Sequence, residues 1–348
     1  MAETQVGTET EGVDASVAAV IEEAIAPAAR EGPAAQPEPL IVAPPPPATP
    51  AREYTASIFP AQSGPMDREL AEQVLKLQTL MGMEVLILVQ GDIDPNESFS
   101  MMGEEVREGF FELRNSLKRN TPVALMIHTN GGQAKVAYEI ARLLRDHCGK
   151  FTAIIPRYAK SAGTLLALGG NPIVLGEHAE LGPLDVQVWD PEREEYTSAL
   201  NEVQSLERLQ AFSLSTIETT VLLLKSRSGK KLATLMPMVH KYVAELTRPL
   251  FEKIDTVHYT WMARLLKIAE EYAIRLLQPL YKDGDAKAIA RKLVHNYPEH
   301  DFMIDAREAG EIGLNVVPPT PEQAVILDAI IPRLDKCMAI GRIQEMGP

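Results

Sequence analysis

From residue 66 onward the chain alternates two kinds of apolar pattern. Short continuous apolar runs at 84–90 (E-V-L-I-L-V-Q), 123–128, 151–155 and 172–175 are each closed by turn-forming residues and read as buried strands. Between them apolar residues recur at helical spacing over 69–81, over 97–119 (Phe99, Met102, Val106, Phe110, Leu113, Leu117), over 133–147 and from Ser161 onward. Strands alternating with helices predict right-handed crossovers and a mostly parallel α/β sheet. Ligands of such sheets lie at the carboxyl ends of the strands.

After Trp189 the pattern turns helical. Long periodic segments cover 197–224, 231–250 and 251–280, and shorter ones 285–295, 305–313 and 321–334. Asp305 and Gly313 bracket the second of the short ones as caps, and Thr320-Pro321 starts the last. This helical layer is expected to pack on the core or on a second subunit. Residues 1–55 are rich in Ala, Pro, Glu and Thr, with an almost pure Pro/Ala run at 43–50, and read as a disordered tail with a stiff, polyproline-like end. Within it, 17–29 reads as a solvated tether, with a short helix formed on contact with a partner as the alternative. The expected organisation is a tail (1–55), an α/β core (66–190), and a helical layer with a C-terminal extension (191–348).

A net charge of −14 and a pI near 5.1 argue against nucleic acid as a partner, which would need a basic face. The two cysteines, Cys148 and Cys337, have no disulfide or metal-ligand spacing and predict reduced thiols in the cytoplasm. No secretory leader, transmembrane stretch or phosphate-binding loop is visible, and the sequence calls for no cofactor or metal.

The chemistry-bearing stretch is Y-A-K-S-A-G-T, residues 158–164, between two apolar runs. A strand, a small-residue turn holding a serine, then a helix is the pattern that presents a hydroxyl at a helix N-terminus, so Ser161 is the candidate nucleophile. A serine there also suits a plain helix N-cap. Upstream, Gly131-Gly132 between strand and helix would let backbone N–H groups face an open cleft and hold an oxyanion.

Four segments, H-T-N-G-G (128–132), Y-A-K-S-A-G-T-L-L-A-L (158–168), L-G-P-L-D-V-Q (181–187) and H-D-F-M-I-D-A-R-E-A-G-E-I-G-L (300–314), together resemble the serine dehydrogenase proteinase family. That family is similar to signal peptide peptidase A and the Clp protease proteolytic subunit, within the Clp protease/crotonase fold. The resemblance implies a spiral of ββα units with a helical C-terminal layer, a homo-oligomer, a peptide or protein substrate, and an oxyanion hole from the N–H groups of Gly132 and Ala162. It leaves the general base open. The histidine position of the Clp subunit falls near Pro183, and family members usually carry methionine at the position of Lys160 and proline at that of Val186. Signal peptide peptidase relatives use a lysine, and the first one downstream is Lys225, after an apolar run that would shelter it; Lys230 and Lys231 follow beside Gly229. Lowering a lysine from about 10.4 towards 7 requires such shelter.

Other bases are His178, in the loop 176–179, and His300 with Asp301. Asp185 reads as a turn residue bonding to backbone. The functions expected are a serine peptidase acting through an acyl-enzyme at Ser161, an inactive scaffold that binds peptides or partner proteins, or a crotonase-like acyl-CoA enzyme. An accessory protein could dock on the N-terminal tail.

Overall fold

The computed structural model describes residues 52–60, 64–91, 99–191 and 194–347. The segment 17–29, with its tether and helix readings, and most of the expected tail lie outside them, and the tail reading gives way by Tyr54, where the first strand begins. In chain order the elements are β1 (Tyr54–Ala56), α1 (Arg68–Met81), β2 (Glu84–Gln90), α2 (Glu104–Leu113), β3 (Val123–His128), α3 (Ala134–Cys148), β4 (Phe151–Ile155), β5 (Tyr158–Ala159) and α4 (Ala162–Ala167). There follow β6 (Ile173–Leu175), β7 (Glu180–Leu181), β8 (Gln187–Asp190), β9 (Glu195–Ser198), α5 (Ala199–Ser228), α6 (Leu232–Phe251) and α7 (Thr256–Leu277). The chain closes with α8 (Asp283–His295), α9 (Ala306–Glu311), β10 (Val316–Val317), α10 (Pro321–Leu334) and β11 (Met338–Glu345).

The main sheet has the order β1-β11-β2-β3-β4-β6-β10. Its run from β2 to β10 is parallel, and β11 is antiparallel to both β2 and β1. Successive residues of β2 and β3 feed opposite faces: Leu86, Leu88, Leu125 and Ile127 enter a core with α2, α3 and α7, while Val85, Ile87, Ala124 and Met126 enter one with α1 and α10. Burial on both faces is why these strands read as unbroken apolar runs.

The helix expected over 97–119 is shorter. It begins at Glu104 after Gly103 and ends in a 3-10 turn, Arg114–Ser116. Met102 is instead extended and pairs with Gly132, and Phe99 lies in the left-handed region at φ 72°. Apolar spacing did not separate these pocket-filling residues from the helix that follows them.

A second, smaller layer crosses the carboxyl ends of the main strands. Its rungs are short: Met102 with Gly132, Thr129 with Ala159, β5 with β7, and Leu181 with Ile304. β3 and β4 each lead into a short second-layer segment and then a helix, as in β4-β5-α4, which is the ββα unit that the resemblance implies. Thr164 ties the layer together, because its buried hydroxyl donates towards Ala159 O and accepts from Gly182 N at 2.9 Å.

Residues after 191 build more than a helical layer, since β10 and β11 join the main sheet. α7 packs against α3, where Tyr138 and Tyr272 stack at 4.6 Å, and against α8. α5 and α6 form a long hairpin. α6 turns Leu235, Val239 and Val243 inward and leaves Met238, Tyr242, Leu246 and Leu250 exposed. Thr164→Val, nearly isosteric, removes the acceptor of a buried N–H; it is expected to lower the unfolding free energy by about 1–3 kcal/mol in urea titrations without changing the fold seen by circular dichroism.

Candidate functional site

The second layer decides which parts of the chain meet. Thr129 N donates to Tyr158 O at 3.3 Å and Lys160 N to Thr129 O at 3.0 Å, which sets the segment after β3 alongside the segment after β4. Ser161 follows at once, with φ 49° and ψ −117°. This conformation is costly for a residue with a Cβ, on the order of 1–3 kcal/mol, and is the sharp strand-to-helix bend that displays a nucleophilic hydroxyl. Ser161 occupies the N-cap position of α4, yet its side chain makes no cap bond. The N-cap reading therefore does not account for it.

Gly131 and Gly132, at φ 120° and 141°, form the facing wall. A Cβ on Gly131 would lie 3.0 Å from Ser161 Cβ and 3.2 Å from Ala162 N, and one on Gly132 only 2.6 Å from Met102 N and O. Side chains are excluded at both positions. In the bridge to Met102 the bonds run from Met102 N to Gly131 O and from Gln133 N to Met102 O, so the Gly132 N–H is left out of the ladder. Ala162 is the first residue of α4, where an amide has no partner within the helix. Gly131 N, by contrast, is held by Thr129 Oγ1 at 3.0 Å, and that hydroxyl donates to buried Gln90 Oε1 at 2.6 Å.

Lys160 points away from this wall. It packs on Gly182 and pairs with Glu180 at 2.7 Å. Lys225 lies exposed in the last turn of α5, so this chain does not supply the shelter that the apolar run before it suggested; the residues of that run lie largely on exposed helix surface. Lys230 and Lys231 are likewise exposed. His178 is exposed in the turn 176–179, in a cavity of about 520 Å³ with Leu175, Arg307 and Val316, and the Ser161 loop does not line that cavity.

Asp185 does not cap a turn through backbone bonds. Its two oxygens meet side chains, Oδ1 at 2.5 Å from His300 Nδ1 and Oδ2 at 3.0 Å from Gln187 Nε2. Asp185 is 4% exposed and the His300 side chain 24% exposed, while Asp301 faces solvent. Sequence reasoning named both residues and missed the pair, which joins positions 115 apart. Their presence in two of the motif segments was the available signal.

Behind the glycine wall, His128 ends β3 fully buried, with the Tyr158 ring 4.0 Å away. Its Nε2 lies 3.2 Å from Asp335 Oδ1, but neither ring nitrogen is aligned for a hydrogen bond; Arg157 holds the other oxygen of Asp335. Burial pushes the imidazole down to about 4, against the upward pull of Asp335 and with a further lowering by Arg157. Burial also raises both thiols, that of Cys337 to about 12, as expected of inert reduced cysteines.

Residues 104–241 match the family described as ClpP-like SDH-type serine proteinase. The resemblance read from the motifs is thereby borne out, as is the α/β class with its mixed sheet and helical C-terminal region. Two uncharacterized proteins of Methanocaldococcus jannaschii are 28% identical over 212 residues and 27% identical over 209, matches that cover 61% and 60% of this chain. The chain spans 58% of the length of each. Among solved structures, ClpP1 from Listeria monocytogenes and an asparagine-to-aspartate mutant of it align at 11% identity and a TM-score of 0.33. These alignments cover 71% and 72% of this chain and 99% of theirs. Among the described residues no helix is long and apolar enough to cross a membrane.

A buried neutral imidazole gives a signed pH dependence. The unfolded chain binds a proton at His128 near 6.5 and the folded one only near 4, so stability falls as pH drops through that window, by about 3 kcal/mol in all. Urea titrations at pH 7 and 4.5 should show most of this loss in the native chain and a smaller one in His128→Phe.

Proposed function

We propose, from the match of residues 104–241 to ClpP-like SDH-type serine proteinases, that the protein is a serine peptidase forming an acyl-enzyme on Ser161. The observation that carries this reading is the strained bend at Ser161, packed on Gly131 and free of any capping bond. In the proposed reaction Ser161 Oγ attacks the scissile carbonyl. The N–H groups of Gly132 and Ala162, neither spent in a backbone ladder, stabilise the negative charge that develops on the carbonyl oxygen. Strain at the serine is repaid by preorganisation, since the hydroxyl and both donors are fixed before substrate arrives.

The working form is proposed to be a homo-oligomer. Phe212, Leu222, Met238, Tyr242, Leu246 and Trp261 are all exposed large apolar side chains on α5, α6 and α7. A helical face of this kind is normally covered. Placing Glu at both Met238 and Leu246 is expected to reduce the molar mass in light scattering, and an unchanged mass would remove this face from assembly.

Fluorophosphonate labelling tests the nucleophile. The native chain is expected to label and Ser161→Ala to lose labelling completely, with a folded far-ultraviolet spectrum in both. Lys225→Ala and His178→Ala examine the two bases suggested by the sequence, and both variants are expected to label like the native chain. A folded, assembled native chain that does not label would favour peptide or partner binding without hydrolysis, and tight binding of an acyl-CoA would favour the crotonase-like reading.

A further inference from the structure

We propose that the turn between α5 and α6 docks on an anionic phospholipid surface. The first observation is the distribution of charge. From Thr219 to Ala244 the sequence holds Lys225, Arg227, Lys230, Lys231 and Lys241 and no carboxylate, in a chain whose net charge is −14. Acidic residues return only at Glu218 and Glu245 on either side. Elsewhere exposed cations are matched, as Arg68 is by Glu72, Arg142 by Asp146, Lys287 by Asp283 and Arg307 by Glu311. Lys241 has Glu245 at 3.9 Å, but Lys225, Arg227, Lys230 and Lys231 have no ion pair among the described residues.

Second, the turn stands clear of the core. α5 runs for 30 residues, about 45 Å of helix, and buries only Ala199 and Leu200, at its start. Every residue from Lys225 to Thr234 is exposed. Lys225 and Arg227 suit the last turn of α5, where the helix dipole favours cations. Lys230 and Lys231 lack that explanation. They stand at the start of α6, the positive end of its dipole, and the Lys231 side chain makes no capping bond. No carboxylate of the described chain offsets the repulsion among these four cations, and an external anionic surface would.

Third, apolar side chains accompany the cations. Leu223 and Leu232, each 45% exposed, lie on either side of the turn. Lysine and arginine stems bury along an apolar boundary while their charged heads reach phosphate, and leucines beside them enter the edge of the acyl region. An acidic peptide would need a groove, whereas this is a projecting turn. A nucleic-acid backbone would take the cations and leave both leucines in water. A bilayer takes both kinds of side chain, and its flat surface meets the turn while the acidic remainder of the chain stays in solvent. Docking here is independent of chemistry at Ser161 and of assembly through Met238 and Leu246, which lie further along α6.

Flotation of the full chain is measured with vesicles of phosphatidylcholine alone and with vesicles containing about one third phosphatidylglycerol. The chain is expected to float with the anionic vesicles only, and to be released as salt rises from about 0.05 to 0.5 M. Lys230→Glu combined with Lys231→Glu should weaken binding about 30-fold or more. Leu223→Ser combined with Leu232→Ser should weaken it about 5-fold or more. Both variants should keep the native molar mass in light scattering. Failure of the assembled native chain to float, equal flotation with neutral vesicles, or undiminished flotation of the lysine variant overturns the proposal. A lower mass in either variant assigns the turn to assembly and overturns it too. Undiminished binding by the leucine variant, with single-stranded DNA or polyglutamate competing against the vesicles, makes the turn a general polyanion site instead of a bilayer contact.

Discussion

The candidate site depends on one steric constraint, the approach of the Gly131–Gly132 bend to the backbones of Met102 and Ser161. A methyl group at Gly132 would sit 2.6 Å from two backbone atoms of Met102, and no rotation of a flexible side chain relieves a backbone clash. Because the bend fits this closely, Met102 closes the second layer, the Gly132 amide stays out of the ladder, and Ser161 is pressed into a region of backbone space that side chains avoid. Relaxing any of these contacts would let the serine fall into an ordinary N-cap, with its hydroxyl spent on α4.

The bend is held by a buried polar chain. Gln90, at the end of β2, donates to Phe99 O at 2.6 Å and accepts from Thr129 Oγ1, which in turn accepts from Gly131 N. Each such bond contributes only about 1 kcal/mol net, less than a buried leucine in the same place. Its contribution is direction. Apolar packing would tolerate a shift of the glycine wall, whereas a broken link leaves an unpaired group in a dry interior at about 1–3 kcal/mol. Stability comes from the two apolar cores, and the geometry of the site from this chain and from Thr164.

This division explains what was legible in the sequence. β2, β3, β4, α3 and α10 were read to within a residue, because each is long enough for apolar periodicity to speak and is buried on a defined face. The second layer left no such trace. β5 and β7 are two residues each, and the rungs at Met102, Thr129 and Ile304 are single bridges, so pattern reading merged Phe99 and Met102 into a helix. Ser161 could be named because turn chemistry is local, and Gly132 and Ala162 because the resemblance implied them. The Asp185–His300 pair could not, since only the closed ladder brings those residues together. Lys225 lies exposed at the end of α5 in the single chain, because the apolar run before it follows the surface of a long helix rather than a core.

The same layer also fixes where charge can act. Lys160 stands beside Ser161 in sequence, but β5 and β7 pair in parallel, and their side chains alternate, so the residue before Ser161 is sent towards Glu180 and away from the glycine wall. His128, at the carboxyl end of β3, lies behind the wall, where burial keeps it uncharged at neutral pH. Its neighbours are the Tyr158 ring and Asp335, so the end of β3 adds no positive charge beside them at neutral pH.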